Sequence, residues 1–433
     1  MVSTKKAELH IFHEKSHVGD LSYDLETQKF ALIYSPEWLR KGFALSPHLP
    51  LFGEVDSESL SKFLENLLPE EDALRTLARA LKTTSGNVFG LIAAIGKDAT
   101  GAFSFSTGDA KTETSFRAIS IEELTSRVLK RAETPISLWD GKPRLSLAGV
   151  QEKLGVAVMG EEYGFGEGEL ASTHILKFSK KDQHLVLNEF FCMTLAKKVG
   201  LNAANVELVR LGERVLRVER FDRKWKTPEH VSRLHVIDGC QALNIPPTFK
   251  YQRIVSVGPN KDDYLGPVNA RSFSDFCNQC RVPAKARLQV LQWILFNLLI
   301  GNTDSHGKNI SYFVSDKGYE LAPFYDLLNV KVYEEFNHDL AFKIGDTFSL
   351  EEVKAYQLLE LSQEMGILPR LVATQLKKLC KEILKHIEHI EFDDLTDSEK
   401  VFVNKLIENI KSRVNTFLKQ SQLIVPLAKS EGR

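Results

Sequence analysis

The stretch "LQVLQWILFNLLI", residues 288–300, is among the most apolar in the chain, and the polar stretch "GNTDSHGKN", residues 301–309, follows it directly. So many large apolar side chains in succession have to leave water. The longest apolar run, "WILFNLLIG", is far short of the roughly 20 residues that a membrane span needs. The segment therefore reads as a helix in a protein core. The nine residues after it hold one aspartate, one histidine, one lysine and two asparagines, with glycine first and seventh. Charge mounted on the end of a packed helix is held accurately, and a catalytic loop needs that accuracy.

The rest of the chain sets the class. Its 433 residues leave room for two or three domains. A formal net charge of −1 argues against a surface built to coat nucleic acid. Five cysteines at irregular spacing, Cys192, Cys240, Cys277, Cys280 and Cys380, suit a reducing compartment better than a disulfide framework. Cys277 and Cys280 form one CxxC with no second pair to complete a zinc set, so they read as helix-packing residues. "MVSTKKAELHIFHEKSH" has no apolar signal region, and the expectation is a cytoplasmic protein with no membrane contact.

Pattern divides the chain into three. Residues 1–125 read as a small α+β unit. Short strand-like runs fill 8–34, "SESLSKFLENLLPEEDALRTLARALK" reads helical, and "NVFGLIAAIGKDATGAFSF" adds a helix and a strand. Residues 126–235 read as a strand-rich part, with "LGVAVMG", "STHILKFSK" and the hairpin "VELVRLGERVLRVERFDR" turning at Gly212-Glu213. Residues 236–433 read as mostly helical, with frayed last residues "AKSEGR". The fold class is α+β, and strand-rich before helical is the order of a two-lobed kinase.

Phosphoryl transfer needs a residue for the acceptor hydroxyl, metal ligands and a positive clamp for phosphate. "DSHGKN" gives Asp304 and Asn309 the D-x-x-x-x-N spacing of a kinase catalytic loop. Asp304 would orient the acceptor and Asn309 would offer an amide oxygen to magnesium. Lys308 between them would neutralise phosphate charge. After a hairpin around Asp316-Lys317-Gly318, Asp326 in "FYD" would supply the second metal ligand. Lys177 ends the strand "HILK", and Glu189 lies on the next helix, in the order of the kinase lysine–glutamate pair. Ala148, Gly149, Val150, Gln151, Glu152 and Lys153 lie where a phosphate-covering loop belongs, although with a single glycine.

Each piece has a bland reading. D-x-x-x-x-N arises by chance, and solvated loops favour Asp, Asn and Gly. Lys177 alone is a strand-end lysine, Glu189 a solvated helix position, Asp326 a turn cap and Ser146 an ordinary strand serine. His306 alone would bond a neighbouring carbonyl. Agreement of order, spacing and element type carries the kinase reading. Two other classes compete with it: a metal-dependent phosphohydrolase using Asp304, His306 and Asp326, and a non-catalytic co-repressor scaffold.

The motifs "LSLAGVQEK", "STHILKF", "NEFFCMTLA", "VERFDR", "CQALNIPPTFKY", "GNTDSHGKN" and "FYDLLNV" resemble the HipA serine/threonine kinase toxins of bacterial HipB–HipA toxin–antitoxin modules. "FALSPHLPL" and "FLENLLPEE" are similar to that family's extra N-terminal domain, and the resemblance runs from residue 8 to about 400. It implies a fold like the phosphatidylinositol-3-kinase branch of kinases, with an added N-terminal α/β subdomain and an all-helical C-terminal lobe. It implies ATP and Mg2+ as cofactors, with Asp304 catalytic and Asn309 and Asp326 on the metal. Lys177 and the 148–153 loop would hold phosphate, and Glu219, Arg220 and Phe221 would sit at the adenine hinge. His306, Gly307, Lys308, Asn309, Tyr325 and Asp326 would also contact nucleotide. Ser146 matches the family's autophosphorylated serine. A phosphoserine there carries about −1.5 to −2 charges, and beside an anionic triphosphate it would give a low-activity state. The partners implied are a helix-turn-helix antitoxin dimer of the HipB kind, operator DNA mainly through that dimer, and a cytosolic protein substrate. In the family's best-known members that substrate is glutamyl-tRNA synthetase, an aminoacyl-tRNA synthetase.

Overall fold

The computed structural model describes residues 6–96, 99–108, 113–136, 138–140, 142–144, 152–180, 183–255 and 263–432. The chain forms two compact units. One comprises Met1–Ser179, Glu207–Pro247 and Tyr312–Tyr319; the other comprises Lys180–Val206, Thr248–Ser311 and Glu320–Arg433.

The first unit holds the two largest sheets. Lys6–His13, Ser16–Asp24, Lys29–Tyr34 and Phe103–Ser106 make a four-stranded sheet with Lys6–His13 and Ser16–Asp24 at its centre. Its inward side chains, Leu9, Ile11, Leu21 and Phe105, are essentially fully buried. The second sheet has six strands, in the order Val206–Leu211, Glu213–Glu219, His174–Lys177, Lys153–Met159, Glu162–Glu167, Ser115–Ile119. Leu154, Val156, Leu176 and Val215 from this sheet pack with Leu124, Val128 and Trp139 in one core cluster. Burying an aliphatic side chain of this size contributes about 1.5–3 kcal/mol.

Between Ser57 and Lys82 the structure has two helices, Ser57–Glu65 and Glu71–Ala80, where the periodicity suggests one. Pro69 explains the break, because its ring disfavours helical backbone at Leu68 and its nitrogen has no hydrogen to donate.

A buried ionic cluster ties parts of this unit together. Asp222 accepts from Arg220 Nη2 at 2.8 Å, Arg223 Nη1 at 2.7 Å and the Gly101 N–H at 3.1 Å. Arg223 also donates to the carbonyls of Ala99 and Gly101. Two guanidinium groups hold the Asp222 carboxyl far below the usual carboxylate range, against the effect of burial. Removing one member of such a set leaves an uncompensated buried charge, at a cost of about 3–5 kcal/mol.

The second unit is helix-rich. Its frame is Leu185–Lys198, Pro283–Ile300, Ala355–Glu364, Pro369–His386 and the 34-residue Asp397–Ser430. The last begins with a capping box, Thr396 and Glu399, and buries Val403, Leu406, Ile410, Val414, Phe417, Ile424 and Ala428 along one stripe. Helix continues through Ser430, so the expected fraying at "AKSEGR" is not what the structure shows over its first three residues. Residues 236–433 are also not all-helical. Arg253–Val255 pairs with Asp263–Leu265, and Asp339–Ile344 pairs with Thr347–Ser349. The second pair closes at Gly345, whose φ of 62° suits glycine in a two-residue turn. All five cysteines are buried and unbridged, as expected of packing residues. Among the described residues no helix is long and apolar enough to cross a membrane.

His235 makes stability depend on pH. Its Nε2 bonds the Leu45 carbonyl at 2.7 Å, which puts the proton on that nitrogen, and its ring lies edge-on to Phe103 at 4.4 Å. Burial pushes its pKa from 6.5 down to about 4. Below pH 6.5 the unfolded chain takes up a proton that the folded chain refuses, so stability falls as pH drops from 6.5 toward 4. The expected loss is up to about 3 kcal/mol. Denaturant unfolding of the wild type between pH 8 and 4.5 should show it, and His235→Gln should flatten the dependence in that window.

Candidate active site

Pro283–Ile300 buries Trp293, Ile294, Leu295, Phe296, Leu298, Leu299 and Ile300, as the sequence demands. A helix ending inside a core must satisfy carbonyls that water cannot reach. Gly301 does this in the left-handed region, φ 76° and ψ 34°, donating its N–H to the Asn297 and Leu298 carbonyls. A Cβ there would meet the Arg413 guanidinium at 2.6 Å. The Gly301 carbonyl then accepts from the Val330 and Lys331 N–H groups, at 3.0 and 3.2 Å.

Asn302 is the next fixed point and is 1 % exposed. Its Nδ2 donates to Asn297 Oδ1 at 2.8 Å and to the Asp326 carbonyl at 3.4 Å. Its Oδ1 accepts the Asp304 N–H at 3.2 Å. One buried amide therefore joins the helix end, the backbone of Asp304 and the backbone of Asp326. Pattern reading did not select Asn302; the available signal was an amide directly after a helix-ending glycine.

From there the loop turns outward. The Asp304 side chain is exposed. Its carbonyl accepts Asn309 Nδ2 at 3.0 Å and the His306 N–H at 2.9 Å. Gly307–Asn309 is a turn of 3₁₀-helix, and the Lys308 N–H points at His306 Nδ1, 3.3 Å away. The Lys308 carbonyl accepts the Tyr325 hydroxyl at 2.6 Å, and that hydroxyl lies 2.7 Å from Ser311 Oγ. The expected hairpin is present as Ser311–Ser315 and Gly318–Leu321. It leads to Asp326, whose φ of 57° is left-handed for a non-glycine residue. Aspartate enters that region more readily than most side chains, because its short polar side chain can hydrogen-bond locally. Asp304, His306, Gly307, Lys308, Asn309, Tyr325 and Asp326 thus belong to one hydrogen-bonded constellation in the second unit. Glu189, on Leu185–Lys198 in the same unit, is 3 % exposed, not the solvated helix position of its bland reading.

The first unit places other expected residues. Lys177 ends the third strand of the six-stranded sheet and is 7 % exposed. Lys153 lies directly opposite it on the neighbouring strand. Directly opposed residues share a face with Cβ atoms about 5 Å apart, where like charges repel. The two lysines thus share one face of the sheet. The Glu152 carboxylate lies 3.3 Å from Arg131 Nε. Glu219 is exposed at the end of its strand, and Phe221 meets Phe313 edge-on at 5.9 Å. The Arg220 side chain is taken up by Asp222 and Ser172, and its N–H donates to the Thr173 carbonyl. Ser146, Ala148, Gly149, Val150 and Gln151 lie outside the described residues.

The phosphohydrolase reading needs Asp304, His306 and Asp326 to converge. Among the described residues, the one group of three or more His, Cys, Asp or Glu side chains close enough to share a metal ion is His10, His17 and Asp20. The proposed ligands do not converge, and His306 Nδ1 faces the Lys308 N–H instead.

Asn302→Ala should loosen the loop and strip three polar groups of their partner. The expected loss is about 1–3 kcal/mol in denaturant unfolding.

Family models match most of the chain. The HipA N-terminal domain covers residues 9–106 and the HipA-like C-terminal domain residues 145–389. Serine/threonine-protein kinase toxin HipA of Shewanella oneidensis is 41% identical over 406 residues, 93% of this chain and 94% of the relative. The Sinorhizobium fredii protein Y4mE is 30% identical over 424 residues, 94% of this chain and 95% of the relative. A solved complex of Shewanella oneidensis HipA, HipB and operator DNA contains a chain that superimposes with a TM-score of 0.88 at 40% identity, covering 96% of this chain and 99% of that one. This α+β chain, with its N-terminal sheet and helix-rich C-terminal region, belongs to the HipA family of serine/threonine-protein kinases.

Proposed function

We propose that the chain moves the γ-phosphoryl group of ATP to a serine or threonine hydroxyl of a cytosolic protein, and that Asp304 receives the acceptor. One observation carries this most directly. Asp304 exposes its carboxylate while Asn302 and Asn309 hold its backbone on both sides. The Asp304 carboxylate orients the acceptor hydroxyl and takes its proton as oxygen attacks phosphorus. Lys177 and Lys153 hold phosphate charge at the face of the sheet. Glu219, Arg220 and Phe221 form the adenine hinge, partly through backbone groups; the Arg220 guanidinium and N–H are engaged within the protein.

The residues suit magnesium. Asn309 uses its amide nitrogen on the Asp304 carbonyl, which turns its oxygen the other way, and Asp326 adds a carboxylate; oxygen is the donor a hard cation takes. When bound, the ion neutralises charge that develops on the transferring phosphate. Gly307, Lys308 and Tyr325 brace this corner, and His306 lines it.

The resemblance to a kinase toxin, and to a chain solved with HipB and operator DNA, supports a toxin of a toxin–antitoxin module. With a net charge of −1, the chain would meet operator DNA mainly through a helix-turn-helix antitoxin dimer. Salt-sensitive DNA binding by the isolated chain would overturn that part. Within this proposal the substrate is a translation protein of the aminoacyl-tRNA synthetase kind. The fold belongs to the phosphatidylinositol-3-kinase-like branch, divided at 1–125, 126–235 and 236–433. Phosphorylation of Ser146 lowers activity by placing negative charge beside the 148–153 loop.

The test begins with dephosphorylated chain incubated with Mg-ATP, followed by intact mass and peptide mapping. One added phosphate, on Ser146, is expected. Asp304→Asn should react about 10² to 10⁴ times more slowly. Equal rates for the two proteins would remove Asp304 from its role.

A further inference from the structure

One contact in the catalytic loop has no place in the mechanism above. The Tyr251 hydroxyl donates to Asp304 Oδ1 at 2.6 Å. That is the length of a charge-assisted O–H to carboxylate bond, roughly twice as strong as a neutral one. The two residues are 53 positions apart in sequence, so the contact is tertiary.

The segment that carries Tyr251 is sewn to the loop at several points. The Lys250 carbonyl accepts the Gly307 N–H at 2.9 Å. Gln252 donates its N–H to the Ala341 carbonyl at 2.8 Å, and the Ala341 N–H donates to the Thr303 carbonyl at 3.0 Å. Gln252 Oε1 accepts the Lys343 N–H at 2.7 Å. The Tyr251 ring stands edge-on to His306 with centroids 5.1 Å apart, and the Lys250 ammonium lies 5.4 Å from its centroid. Backbone bonds on both sides of Tyr251, and ring contacts at it, hold the phenol in place.

Asp304 needs such a partner. An exposed aspartate rotates freely about two side-chain torsions, and fixing them carries an entropic cost. An ionised carboxylate has two oxygens and about four lone-pair sites. A donor fixed on Oδ1 leaves Oδ2 for the acceptor hydroxyl and sets its direction. We propose that Tyr251 is a positioning residue for phosphoryl transfer: its hydroxyl holds Asp304 Oδ1 so that Oδ2 faces the incoming serine or threonine. The proposal rests on the reading of Asp304 as the acceptor-orienting group. It gives the "KYQ" segment a part in the chemistry although it lies far from the loop in sequence.

Tyr251→Phe keeps the ring and removes only the hydroxyl. The assay follows labelled phosphate from Mg-ATP into protein, with dephosphorylated casein present as a serine-bearing probe. A misplacement of about 1 Å costs on the order of a hundredfold, so the rate at saturating ATP should fall about ten- to a hundredfold. The ATP concentration at half-maximal rate should change less than about twofold, the split expected when positioning is lost and nucleotide binding is kept. In Asp304→Asn the carboxylate is already gone, so adding Tyr251→Phe should change the residual rate less than about twofold. An equal loss on both backgrounds would mean a general structural role and overturn the proposal. So would an unchanged rate in Tyr251→Phe beside a strongly slowed Asp304→Asn, which would leave the parent reading standing. A full rate in Asp304→Asn would sink both. Phosphate mapped to Tyr251 itself would make it an acceptor and not a brace.

Discussion

A helix buried to its last residue has to stop somewhere, and its final carbonyls cannot turn to water. This constraint organises the second unit. Gly301 meets it by entering the left-handed region, which ends the helix and sends its own carbonyl to Val330 and Lys331. Asn302 then spends both ends of its amide inside the protein, on the helix, on Asp304 and on Asp326. The charged loop is thus the polar completion of an apolar helix. Its accuracy comes from buried bonds worth about 1 kcal/mol each when made and more when left unmade.

The same logic repeats one layer away. The Asn188 side chain accepts the Asn329 N–H at 2.8 Å and donates to the Asn329 carbonyl at 2.9 Å, as a paired strand would. Asn329 Nδ2 goes on to Asn409 Oδ1 on the long C-terminal helix. Segments far apart in sequence therefore hold the chain that follows Asp326. Low local dielectric strengthens these bonds, while Asn329 Oδ1 itself stays buried without a hydrogen-bond partner.

Much of this was readable in advance, for reasons that differ by residue. Asp304 and Asn309 stood out because five positions of sequence fix their separation. Asp326 stood out because a hairpin of ordinary pattern points to it, and Lys177 because it ends an apolar strand. Asn302 carried no spacing signal, and Tyr251 meets its partner across 53 residues, a distance that local pattern cannot bridge. The break at Pro69 was written in the chain, but leucine periodicity on both sides hid it. The strands Arg253–Val255, Asp263–Leu265 and Thr347–Ser349 were hidden too, since three-residue runs carry little period of their own. Family resemblance alone pointed to the 219–221 hinge and to Ser146 as a modified serine.

The register of the six-stranded sheet has a consequence for how this protein can change over generations. Lys177 faces Lys153 only because Leu176 faces Leu154 one step along, both fully buried. Side chains alternate between faces, so a slip of one residue would exchange the lysines for the leucines. The slipped sheet would bury charge and lose its core together. Selection on folding alone therefore preserves the register that sets position 177 opposite position 153.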